Sequence, residues 1–175
     1  NFITGENYDG YWTEMTPGSW ERDEMFGVFS SDKSGLENGL LTRCFALTNP
    51  VRIKLQYAKA GWEVGRIYVA YGKADAHPST YTKVFEDNDV SRNGLEIEFD
   101  VPITVPDNYS FIIVNESDEY TGISLGTIVI SELLPCDLRL LTVESPLSYN
   151  TPLAQFAEEM VVNAVVVNRG SLAMS

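Results

Sequence analysis

Histidine is all but missing from this chain: among 175 residues there is one, His77, and the cysteines are only Cys44 and Cys136. His77 lies in "ADAHPST", a Pro-containing loop, and Ser79 is too near in sequence to be its partner in a designed catalytic pair, so it reads as a surface-loop histidine. There is no G-x-S-x-G elbow, no H-E-x-x-H and no phosphate-cradling Gly-rich loop. The acids at Glu158–Glu159 and at Glu21, Asp23 and Glu24 read as solvated loops rather than as the carboxylate pair of a glycosidase. The chain is therefore read as non-catalytic. Basic residues are scarce too, with 12 Lys and Arg against 25 Asp and Glu and a formal net charge of -13. Such a chain repels nucleic acid phosphates and anionic membrane surfaces, and the plain meaning of its charge is solubility in a salty or extracellular medium. No apolar run approaches the ~20 residues of a membrane helix, which excludes insertion by a helix. Asn1 is not an initiator Met, so a processed or trimmed N-terminus is expected. Cys44 sits in an apolar, strand-like run and is read as an inert core thiol in preference to a disulfide partner of Cys136.

Helical spacing is also nearly absent, and what fills the chain is β-branched and aromatic residues cut at short intervals by Gly, Pro, Asn and Asp. The expected strands are 40–47, 52–59, 65–73, 81–87, 95–103, 109–116 and 123–133. In the second, Ile53, Leu55 and Tyr57 alternate with Arg52, Lys54 and Gln56, so one face is dry and the other wet; the third repeats this with Ile67, Val69 and Tyr71. Half-buried antiparallel strands must cover their dry faces with a second sheet, which gives an all-β sandwich of jelly-roll type. Only "LAQFAEEMVV" offers a helical stripe, through Leu153, Phe156, Ala157, Met160 and Val161. A boundary is expected near "ELLPCDLRL", because Pro135 ends a ladder and a new alternating run begins at Asp137. The division is 1–134 and 135–175, and the second part is too short to be a domain by itself.

The order "W...G.FSS...LLTRCFALTNPVRIKLQYAKA...GRIYVAYGKA" followed by "VPITVPDNYSFIIVNES...ISLGTIVISEL" resembles the cleaved-adhesin, or choice-of-anchor J, modules of secreted and surface proteins of Bacteroidetes. These include the haemagglutinin regions attached to gingipain proteases. Leu41, Thr42, Phe45 and Leu47, then Ile53, Leu55 and Tyr57, are similar to that family's paired strand motifs. The tail "DLRLLTVESPLS...LAQFAEEMVVNAVVVNRGSLAMS" is similar to the opening of the Ig-like or CARDB-like modules that follow such adhesin modules. Residues 135–175 are accordingly expected to be the first strands of an incomplete Ig-like domain whose other strands lie beyond Ser175. The resemblance implies a secreted or cell-surface module of a multidomain protein that binds a host protein or glycan and contacts neighbouring domains of its own chain. A second expectation is an accessory or spacer domain of a secreted protease or glycosidase.

Sugars stack their apolar faces on flat rings, so exposed aromatics are the candidate ligand contacts. Trp62, at a turn in "KAGWEVG", is the best, followed by Tyr11 and Trp12 beside Tyr8, with Trp20 an isolated further point; core packing is the alternative for each. For cofactors the choice is none or calcium, a hard cation that needs clustered oxygens. The candidate ligands are Asp9, whose Asp-Gly step before Trp12 is similar to a shortened family loop, and Asp87 and Asp89 in "EDNDVSRNG". Against a family-type site, Gly126 and Thr127 stand where the family's last strand commonly carries acids.

Overall fold

The computed structural model describes residues 2–3, 12–23, 27–30, 35–117, 121–134, 138–145 and 163–168. Its strands are β1 (Phe2–Ile3), β2 (Trp12–Glu14), β3 (Trp20–Asp23), β4 (Gly27–Ser30), β5 (Gly39–Thr42), β6 (Phe45–Leu47), β7 (Val51–Ala60), β8 (Ile67–Lys73), β9 (Thr82–Asp87), β10 (Leu95–Val101), β11 (Asp107–Asn115), β12 (Gly122–Glu132), β13 (Leu138–Ser145) and β14 (Asn163–Asn168). The chain divides into two compact units, Asn1–Glu132 and Leu133–Ser175.

In the first unit the alternation of β7 is realised residue by residue. Val51, Ile53, Leu55 and Tyr57 are buried while Arg52, Lys54 and Gln56 face outward. A strand with one dry side pairs by register, and β7 takes β10 on one edge (Ile97 opposite Leu55, Phe99 opposite Ile53) and β12 on the other. The first sheet runs β10-β7-β12-β4-β3, with β1 also on β12; the second runs β2-β5-β11-β8-β9, with β6 also on β11. Every pairing is antiparallel. On β12 the register slips between Leu125 and Ile128, a bulge that contains Gly126 and Thr127.

The core lies between the sheets. Ile53, Leu55, Ile123, Leu125 and Ile128 of the first meet Ile67, Val69, Phe111 and Ile113 of the second. Aromatic rings close the side made by β9 and β10, where Phe85 stacks on Phe99 at 5.2 Å between centroids and meets Tyr57 edge-on at 6.0 Å. A buried polar link joins the layers as well: Ser30 Oγ of β4 accepts from Asn38 Nδ2 at 2.8 Å and from Asn115 Nδ2 of β11 at 2.7 Å. Such a link is stable away from water because donor and acceptor meet.

Two expectations are corrected by this architecture. The run 40–47 is not one strand: it breaks at Arg43 and Cys44 between β5 and β6, which interrupts the inward alternation and leaves Cys44 exposed instead of in the core. Strand β8 is not wet on its second face: Tyr68 and Ala70 are 8% and 2% exposed, because Met15, Leu36, Leu41 and Tyr81 pack over them together with Ile112 and Val114. The second unit contributes an antiparallel pair, β13 with β14, in which Leu138 is opposite Asn168. The helical stripe of 153–161 and Cys136 lie outside the described residues.

Candidate binding surfaces

Trp62 follows Gly61, which adopts φ 125, a left-handed value that a side chain resists and glycine accepts. The turn that this allows throws the indole out of the sandwich, and Trp62 is 88% exposed. It is nevertheless held. The Arg92 guanidinium lies over the ring, 4.1 Å from its centroid, and Arg92 also donates to the Gly61 carbonyl. A cation over an exposed ring is worth about 0.5–1 kcal/mol. The two loops that carry Trp62 and Arg92 are laced together by Val90 N–H to Gly65 O at 2.9 Å and Lys59 N–H to Ser91 O at 3.2 Å. Gly65 permits this approach, since a Cβ there would sit 2.9 Å from the Lys59 side chain. One indole face is thus backed by a hydrogen-bonded cation at the tip of two laced loops.

The other sequence-predicted positions fall elsewhere. Trp12, on edge strand β2, is partly buried and packs against the core, and Trp20 is buried, 3% exposed. Tyr11 and Asp9 lie outside the described residues. Asp87 and Asp89 are adjacent in space: Asp87 accepts from the Tyr57 hydroxyl at 2.8 Å and from Asp89 N–H at 3.0 Å, and the exposed Asp89 carboxylate has Lys59 Nζ at 3.9 Å. Burial first, then Asp87, raises the Tyr57 phenol above its ordinary range. Among the described residues no three His, Cys, Asp or Glu gather to hold a metal ion. His77 has a local duty, accepting from Ser79 N–H at 3.3 Å as the cap of the short turn Pro78–Thr80, with its Nδ1 2.8 Å from Ser79 Oγ.

The sequence reading missed a groove on the outer face of the second sheet. Its lining comes from β8, from the turn before β9 and Lys83 of β9 itself, from Glu116 just after β11, and from Leu36 of the turn Leu36–Asn38, which is hung on β11 through Gly35 N–H to Asn115 O at 2.9 Å. The groove encloses about 270 Å³. Leu36, Ala70, Pro78 and the rings of Tyr68 and Tyr81 supply its apolar part, and Ser79, Lys83 and Glu116 its polar part. Tyr81 is seated over Gly72, where a Cβ would come within 2.3 Å of the ring, so the absence of a side chain on β8 creates the seat. Burial raises the Tyr81 phenol, opposed by its hydrogen bond with Ser110. Tyr68 is pushed up to about 12, by burial first and then by the negative charge of Glu116 and Glu86. The ammonium of Lys83 lies 4.1 Å from the centre of the Tyr68 ring and 3.4 and 3.3 Å from Glu86 and Glu116. The missed signal was present in the runs "IYVAY" and "FIIV" of β8 and β11, whose lack of alternation marks strands covered on both faces.

No protein-family model and no curated protein matches the chain. Among solved structures it is similar to a CBM4 carbohydrate-binding module, at 8% identity and a TM-score of 0.53, over 73% of this chain and 97% of that one. The fold is a jelly roll. This jelly roll is also similar to the K1 cleaved adhesin domain of Lys-gingipain from Porphyromonas gingivalis W83, at 16% identity and a TM-score of 0.48, over 75% of this chain and 89% of that one. A third similar structure is the C-terminal CBM6 of a marine laminarinase from Zobellia galactanivorans, at 16% identity and a TM-score of 0.45, over 75% and 98%. The all-β jelly roll expected from strand alternation is thereby met.

Proposed function

We propose that the chain is a non-catalytic binding module of a larger secreted or cell-surface protein, and that Trp62 meets its ligand, a host protein or glycan. The observation that carries this reading is an indole 88% exposed yet clamped from behind by Arg92. Exposing a large ring and then immobilising it favours association, because less side-chain freedom is lost when a partner arrives. A ring free on one side suits the apolar face of a sugar or an apolar contact on a protein. A structure of the same fold bears the name of a carbohydrate-binding module, which makes glycans the first ligands to test. Residues 135–175 are the opening of an Ig-like domain in this reading, in keeping with the β13–β14 pair.

The test is Trp62→Ala, compared with the parent chain on a glycan array and on host-cell surfaces. Binding should fall roughly tenfold or more, as for an interface anchor, with the thermal midpoint within a degree or two. Undiminished binding would reject the role of Trp62, and a large fall in midpoint would make it a structural residue instead.

A further inference from the structure

We propose that the groove on the outer face of the second sheet is a separate binding site that takes one neutral sugar ring. This rests on the reading of the chain as a binding module but not on Trp62, which lies on a different loop pair. Size comes first: about 270 Å³ lies just below the roughly 300–1,000 Å³ of pockets for drug-sized ligands, a scale that suits one small ring. Surface chemistry comes next. A pyranose has a C–H face and a rim of hydroxyls, and here Leu36, Ala70 and Pro78 offer the apolar wall while Ser79, Lys83 and Glu116 offer the polar partners. Lys83 Nζ and Glu116 Oε2 are 3.3 Å apart, so a donor and an acceptor stand side by side, the arrangement that two neighbouring hydroxyls require.

Preorganisation supports a binding role. The Lys83 ammonium is held at once by the Tyr68 ring and by two carboxylates, so a ligand meets an ordered donor and does not have to immobilise a free lysine. Charge decides the class of sugar. Two carboxylates, Glu86 and Glu116, surround one ammonium, and the whole chain carries -13. An acidic sugar or a phosphate would be repelled, and a cationic ligand would have to displace Lys83 from the place that it fills. A neutral ring remains.

The experiment is an NMR titration of the chain with the methyl glycosides of glucose, galactose, mannose and N-acetylglucosamine, and with glucuronate and galacturonate. At least one neutral glycoside should shift the Tyr68, Ala70 and Tyr81 signals at concentrations on the order of 10 mM, with uronates roughly tenfold weaker or silent. Lys83→Met should weaken binding roughly tenfold, the weight of a hydrogen bond to a charged group, and Ala70→Leu should abolish it by filling the groove. Lys83 is on the surface, so Lys83→Met decides the matter should Ala70→Leu fail to fold. The proposal is overturned if no neutral glycoside moves these signals, if uronates bind as well as neutral sugars, or if Lys83→Met binds like the parent. Loss on Trp62→Ala with no effect of Lys83→Met would assign the sugar to the loop tip, ending the groove proposal and leaving the binding module standing.

Discussion

At the residue scale, identity alone did not fix the fate of an aromatic ring. Trp12, Trp20 and Trp62 are chemically equal, yet Trp20 is buried, Trp12 packs against the core, and Trp62 is exposed because Gly61 turns the chain outward. The exposure of Trp62 was legible from its place between Gly61 and Glu63 in a turn; the Arg92 behind it was not, because it comes from another loop. Glu132 shows a second kind of single-residue control. Its Oε1 accepts from the N–H groups of Thr48 and Asn49 and from both their side chains at 2.7–3.2 Å, tying the loop before β7 to the end of β12. The backbone N–H of Thr48, foremost among these donors, holds the Glu132 carboxyl below its ordinary value of 4.5. A carboxyl depressed in the folded state stabilises above its unfolded value and loses that contribution as pH falls through the folded one. Glu132→Gln is therefore expected to lower stability modestly at pH 7, by ~0.5–1 kcal/mol for so exposed a group, and to remove part of the thermal midpoint's decline below about pH 4.5. Thermal melts between pH 3 and 7 check this; parallel curves for the two chains would refute it.

At the element scale, β7 was readable because a strand with one dry face declares itself in every second residue. Strands β8 and β11 were half readable. Their inward residues Ile67, Val69, Phe111 and Ile113 follow the same rule, but the cover on their outer face comes from Met15, Leu36 and Tyr81, which no periodicity within the strands can reveal. Gly72 shows the cost of that cover. An added methyl would collide with the Tyr81 ring at 2.3 Å, and overpacking of this kind costs about 1–3 kcal/mol. Gly72→Ala should lower the midpoint by several degrees, roughly 2–4 °C per kcal/mol at this chain length, and shift the Tyr81 ring resonances. A midpoint and ring signals like those of the parent would show that Tyr81 is not seated there. The core of β7 should respond more strongly, with Leu55→Ala costing about 2–5 kcal/mol in urea unfolding, since Leu55 is fully buried between the sheets.

At the scale of the whole molecule, the two units differ in what they can bury. The first closes two six-stranded sheets on a shared core, whereas among the described residues the second has one strand pair, a form that is marginal in water by itself. Ending the chain at Leu134 should therefore leave the midpoint of the first unit within a few degrees of the parent and keep its near-UV aromatic signal; collapse of the truncated chain would show that the units depend on each other. Composition and alternation by themselves determined the acidity, the all-β class and the dry faces of the strands, because these depend on residue type and on a period of two along the chain. Only the tertiary structure decided that Cys44 faces water, that Trp20 does not, that Arg92 backs Trp62, and that Lys83 and Glu116 meet beside Tyr68. Those outcomes depend on contacts between residues far apart in sequence, and no local period encodes which loop or strand will lie across another.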